Sequence, residues 1–206
     1  MNIHKGFLFL LLLALAGCLG GARPAPVIQY YQLSYAAPGF TGLAPCPRTI
    51  QMERLTANRV FDSRAMIYRS GAFELADYPS GHWRVAPADM LTDCLSRDFR
   101  EARLFPSLST YRDNGDARFI LEGNVEEFME IRVKEQSLAS LVIRIYCVDT
   151  TKKGAAERVV WEKLYAVREP LKDRTPEALA TAMSAAMEKL TRQLITDIHH
   201  ILQKAT

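Results

Sequence analysis

The sequence predicts an α+β fold: a two-layer sandwich of a mainly antiparallel sheet with two amphipathic helices packed on one face. Three observations point there. Residues 118–132, 137–150 and 157–168 alternate apolar and polar side chains and are joined by short polar turns, the pattern of consecutive half-buried strands in an antiparallel meander. Residues 88–104 and 175–203 instead repeat apolar side chains every three or four positions, as helices that bury one stripe do. Two such stripes and one sheet face that needs covering satisfy one another in two layers.

Taken in order, the chain begins with a leader. Lys5 is the one firm charge of residues 1–6, and residues 7–16 are uncharged. That run of about ten residues has signal-peptide length and is too short to cross a hydrocarbon core of about 30 Å as a permanent helix. It ends in Leu15-Ala16-Gly17-Cys18, which resembles the bacterial lipobox, where the Cys thiol receives a diacylglyceryl group and a peptidase cuts before it. Leu15 suits a pocket within the membrane, and the small Ala16 and Gly17 let the backbone enter the peptidase cleft. The chain is therefore expected to divide into a signal peptide (1–17), a lipidated tether (18–26) and a single domain (27–206), with Cys18 as the lipid attachment residue. The plain alternative is an ordinary secretory signal with a chance Cys near its end. Two or three acyl chains hold a protein on a bilayer where one binds only marginally. Leu19 rather than Asp follows the Cys, which by resemblance to known lipoprotein sorting favours the outer membrane of a Gram-negative cell.

Residues 19–26 are rich in Gly, Ala, Arg and Pro and cannot bury enough apolar area to fold, so they read as a spacer. Residues 27–34 are β-branched and aromatic and predict a first strand, with Tyr31 and Leu33 on one face. Five Gly and Pro residues between 36 and 47 make a loop, and residues 49–55 a second strand, with Ile50, Met52 and, after a slip, Leu55. Residues 65–68 and 74–78 are short strands flanking Arg69-Ser70-Gly71. The helix over 88–104 has Pro87 near its first turn and Leu95, Phe99 and Leu104 on its stripe. Residues 105–110 are a short strand at the helix exit, and Asp113-Asn114-Gly115-Asp116 a turn. In the meander, Leu141, Ile143, Ile145 and Cys147 share one face, and the first strand shifts from Phe119, Leu121, Gly123 and Val125 to Phe128 and Ile131. The last helix starts at Thr175-Pro176-Glu177, with a hydroxyl cap, Pro in the first turn and an acid on the positive end of the dipole.

Composition narrows the function. Of 206 residues 49% are hydrophobic and 24% charged, with a net charge of +3 in which both signs are interleaved. That is ordinary for a globular domain and argues for no nucleic-acid partner. Once Cys18 is lipidated, Cys46, Cys94 and Cys147 remain; either two of them form a disulfide and the third is buried, or all three are small core residues. Without a Cys-x-x-Cys, a Gly-rich phosphate loop, a His-Glu-x-x-His or a Gly-x-Ser-x-Gly, no catalytic residue, metal ligand or cofactor site is predicted. His199-His200 point about 100° apart on a helix and cannot share an ion, so they are expected as surface histidines at the helix end. Asp89 and Asp93, four apart, are expected to favour the helix dipole rather than form an acid pair. His82 beside Trp83 is expected to be structural, and Trp83 to plug the edge of the core.

The residues together resemble the ABC-type transport auxiliary lipoprotein family: a lipobox, a Tyr-x-Leu strand (Tyr31, Leu33), Ile67-Tyr68-Arg69, Trp83 shortly before an amphipathic helix, and long strands followed by an Ala-rich helix (Ala178, Ala180, Ala182, Ala185, Ala186). The match runs over about 27–202, departing at Trp83-Arg84-Val85-Ala86-Pro87, where the family more often has Trp directly followed by Ala and an acid. The resemblance implies a non-enzymatic outer-membrane lipoprotein that faces the periplasm. It would be a docking component of a mammalian-cell-entry or paraquat-inducible type system that moves lipids between membranes. The implied partners are the ATPase, the permease and the mammalian-cell-entry subunit, and the membrane through the lipid anchor; assembly with further copies of the chain is left open. The chief rival is an outer-membrane assembly or cell-wall synthase accessory lipoprotein, and a tethered periplasmic hydrolase is a second.

Overall fold

A computed structural model describes residues 27–113 and 117–205. The leader, the lipobox with Cys18, the spacer and the Asn114-Gly115-Asp116 part of the expected turn lie outside the described residues. The elements run β1 (Gln29–Tyr31), β2 (Ile50–Met52), β3 (Thr56–Ala57), β4 (Ala65–Arg69), β5 (Leu75–Trp83), α1 (Pro87–Glu101), β6 (Leu108–Thr110), β7 (Phe119–Val133), β8 (Gln136–Asp149), β9 (Val159–Pro170) and α2 (Pro176–Lys204). A 3-10 turn at Arg59–Phe61 and a helical turn at Ala155–Arg158 complete them.

The architecture is α+β, and the expected meander is its frame. β7 pairs antiparallel with β8 from Phe119↔Asp149 to Val133↔Gln136, and β8 pairs antiparallel with β9 from Leu138↔Pro170 to Val148↔Val159. The other edge of β7 shows what alternation did not predict. β2, β3 and β4 dock along it one after another, all parallel, opposite Phe119–Leu121, Asn124–Val125 and Met129–Ile131. The sheet is thus mixed, antiparallel in its long ladders and parallel in its short ones. β4 turns back antiparallel into β5, β5 carries β1 in parallel, and β2 carries β6 in parallel. Parallel neighbours need a long crossover, and α1 lies in the connection between β4 and β7.

A bulge between Val125 and Glu127 explains the phase shift in β7. Val125 is opposite Ile143 and Phe128 opposite Leu141, so the bulge keeps Phe128 on the helix-facing side. Ile131 pairs with Leu138 and, three residues past Phe128, falls on the opposite face. On β8 the expected inner face holds: Leu141, Ile143, Ile145 and Cys147 are all fully buried. They pack in one core with Leu91, Leu95 and Phe99 of α1 and Leu190, Leu194 and Ile198 of α2.

α2 begins as expected, with the Thr175 hydroxyl accepting from the Ala178 N–H at 3.2 Å and Pro176 in the first turn. Gly81 lets it sit close to the sheet, since a Cβ there would lie 2.5 Å from the Pro176 ring. α1 stops three residues before the expected Leu104. Arg103 adopts φ 53°, the left-handed conformation that ends helices, and Leu104 is buried beyond the turn.

Candidate functional site: the anchor end and the buried polar clusters

The described chain begins at Val27, which with Ile28 is exposed and leads into β1. Beside this entry Tyr30 lies 6.2 Å from the His82 ring, and the Arg64 and Arg84 guanidiniums stand over it at 5.8 and 5.6 Å. Trp83 closes β5 rather than preceding α1 in a loop, and it is fully buried with its ring 5.0 Å from Phe128. The expected core plug is therefore what the residue is, and its indole N–H finds no hydrogen-bond partner among the described residues.

Asp89 and Asp93 are not brought together as an acid pair. Asp89 is in the first turn of α1 and is hydrogen-bonded and ion-paired to Arg54, which holds its carboxyl below the ordinary carboxylate range, while Asp93 is exposed. The histidines correct the sequence reading. His200 is exposed, but His199 is buried and donates its Nε2–H to the Ala44 carbonyl at 2.6 Å, with the Phe105 ring 6.3 Å away. Its spacing from Ile195, Ile198 and Leu202 places it on the buried stripe, a signal that was in the sequence. The helix therefore fastens the 44–46 loop instead of ending in two surface rings.

The three cysteines are free thiols. Burial pushes Cys147 up to about 12 and raises Cys46 and Cys94 as well, so none is a reactive thiolate.

Two buried polar clusters went unseen because charged residues in a sequence read as surface. In the first, Glu130 of β7 is fully buried and accepts a forked pair from Arg132, Nε to Oε1 at 2.9 Å and Nη2 to Oε2 at 3.0 Å, while the Tyr78 hydroxyl donates to Oε2. The guanidinium in turn lies 3.5 Å from the Tyr68 ring centroid. Burial pushes the Glu130 carboxyl up, but the Arg132 and Tyr78 hydrogen bonds outweigh it and hold it below its ordinary value. In the second, Asp98 of α1 is fully buried, with Oδ2 accepting from the Tyr35 hydroxyl at 2.6 Å and Oδ1 from Arg97 Nε at 2.8 Å. Here burial wins and the carboxyl is raised. A third set joins the meander to the last helix, the Tyr165 hydroxyl and Lys163 both donating to Asp197, at 2.7 and 2.6 Å.

Each carboxylate is matched by a cation or a hydroxyl of the same domain. Among the described residues no group of three or more His, Cys, Asp and Glu side chains could hold a metal ion, and no helix is long and apolar enough to cross a membrane.

A crystal structure of a Xanthomonas campestris protein superposes with a TM-score of 0.77 at 18% identity, over 85% of this chain and 98% of that one. The crystal structure of an uncharacterised protein matches with a TM-score of 0.65 at 9% identity, over 84% of this chain and 99% of that one. A hypothetical protein from Chlamydia trachomatis matches with a TM-score of 0.50 at 9% identity, covering 76% and 98%. At such identities these establish the shared fold. None of the curated proteins matches the chain. The model of the ABC-type transport auxiliary lipoprotein component spans residues 31–195, from the first strand to the last helix. The chain belongs to the ABC-type transport auxiliary lipoprotein family.

Proposed function

We propose that this chain is a non-catalytic docking component of a mammalian-cell-entry type lipid transporter, held by lipid on Cys18 to the outer membrane of a Gram-negative cell and facing the periplasm. The observation that carries the reading is the family match over nearly the whole folded domain. The chemistry of the domain supports it: Asp89, Asp98, Glu130, Asp197 and His199 are all engaged in contacts within the domain, Glu130 and Asp197 with strand residues and Asp89, Asp98 and His199 with the loops that carry Arg54, Tyr35 and Ala44. A rigid body on a tether suits holding the ATPase–permease–mammalian-cell-entry assembly at the far membrane.

Affinity capture of the full-length acylated protein from detergent-solubilised membranes, followed by mass spectrometry, tests the reading. The expected co-purifying proteins are the mammalian-cell-entry subunit, the permease and the ATPase. A cell-wall synthase or an outer-membrane assembly factor in their place overturns it. Cys18→Ser should move the protein from the membrane to the soluble fraction, and an unacylated mature terminus in the wild type defeats the anchor.

A further inference from the structure

One end of the sheet collects three connections. Leu75, Arg69, Ile131, Leu138 and Pro170 form a single row across β5, β4, β7, β8 and β9. Beyond it lie residues 70–74 between β4 and β5, residues 134–135 between β7 and β8, and residues 171–175 between β9 and α2. At this end Phe73 is 101% exposed, Val133 54% and Leu75 48%. Leu75 stands in the Ile131 row and Val133 is two residues past Ile131 on the same strand, so both project from one face of the sheet. Single exposed apolar residues are ordinary on a surface; an unshielded aromatic at a hairpin tip with two aliphatics on the adjoining strands is a patch. The charges around it nearly balance, Lys134, Lys172 and Arg174 alternating with Glu135 and Asp173 in the same turns.

The entering chain points to what covers this patch. β1 runs parallel to β5 with Gln29 opposite Gly81, so the residues before Gln29 head back along β5 toward Leu75. On that register Val27 is level with Pro79, four residues or about 13 Å short of Leu75. The nine residues from Cys18 to Val27 reach at most about 32 Å when fully extended, so less than half of that reach places the Phe73 end at the bilayer. The opposite end of β7, at Phe119, is about 40 Å from Ile131 at the strand rise, and presenting it to the membrane would stretch the tether almost completely.

We infer that this end of the domain is a lipid-contacting face, in which Phe73, backed by Leu75 and Val133, inserts at the headgroup–acyl boundary of the bilayer that holds Cys18. The inference rests on the anchor proposed above. An exposed phenyl ring gains by burying its apolar surface at that boundary, where the Phe and Leu side chains of interfacial segments lie. With near-balanced charge the contact is apolar in origin and insensitive to salt.

The test uses the acylated full-length mature protein reconstituted in vesicles of phosphatidylethanolamine and phosphatidylglycerol that contain brominated lipid. Phe73→Trp places a depth probe at the tip, and Val159→Trp places the same probe on an exposed strand position at the other end, against the common background of Trp83 and Trp161. The Phe73→Trp emission should shift to the blue and be quenched well beyond the wild type, in low and high salt alike, while Val159→Trp shows background quenching only. If both variants float with the vesicles and are quenched equally, the anchor stands and the lipid-contacting face falls. Quenching at Phe73→Trp that disappears in high salt also overturns the apolar contact. Wild-type protein that fails to float removes the anchor, and the inference with it.

Discussion

Glu130 and Asp98 are both fully buried, both accept from a tyrosine and both pair with an arginine close by in sequence, yet their carboxyls shift in opposite directions. The difference lies in how the arginine is held. Arg132 reaches both oxygens of Glu130 in a fork, and its side chain is only 18% exposed, pressed on the Tyr68 ring. Arg97 also lies over a tyrosine ring, 4.4 Å from the Tyr35 centroid, but it directs its Nε and Nη2 at the one oxygen Oδ1, and its side chain is 37% exposed. A forked, shielded guanidinium repays the burial of a carboxylate; a one-oxygen, half-wet one does not.

The largest expected effect follows from removing the forked pair. Glu130→Ala leaves Arg132 without its counter-charge and should cost about 3–5 kcal/mol, read as a fall in the urea midpoint at neutral pH. Arg132→Lys keeps the charge and removes the fork; a loss of about 1–3 kcal/mol is expected. The Glu130 carboxyl should then titrate upward, toward the behaviour of Asp98, which carbon-detected titration of the side chain would follow.

The smallest effect is the most discriminating, because it is a slope. Glu130 is depressed below its ordinary 4.5, so its stabilisation is present above that value and is lost as pH falls through the folded pKa. Asp98 is raised above its ordinary 3.8, so its stabilisation is full below that value and is lost as pH rises through the folded pKa. The stability difference between Glu130→Gln and wild type should therefore widen with rising pH. That between Asp98→Asn and wild type should move in the variant's favour, by about 1 kcal/mol or less. Parallel slopes in urea melts across the acidic range would show that the two sites do not differ.

What the sequence disclosed follows the same physical line. The β7–β9 meander and α2 were legible because long elements repeat their period many times, and Thr175-Pro176-Glu177 states a helix start in three residues. The parallel docking of β2, β3 and β4 was not, since strands of two to five residues complete too few periods to show a partner or a direction. The end of α1 depends on Arg103 at φ 53°, where a glycine would have announced the stop. Trp83 was readable by size and His199 by its place on the α2 stripe, although its identity suggested surface. The Glu130 and Asp98 clusters escape any local reading because Tyr78 and Tyr35 approach from 52 and 63 residues away.

The single edge of β7 that receives β2, β3 and β4 also sets an order of events. Ile50 precedes by 69 residues Phe119, the position it will pair with. Until β7 is present, β2, β3 and the β4–β5 hairpin have no common edge to dock on, whereas β7 and β8 close on one another across residues 134–135 as soon as they appear. Completion of the sheet therefore runs backwards along the chain: β2, β3 and β4, made early, are joined to one another only once the late β7 is in place.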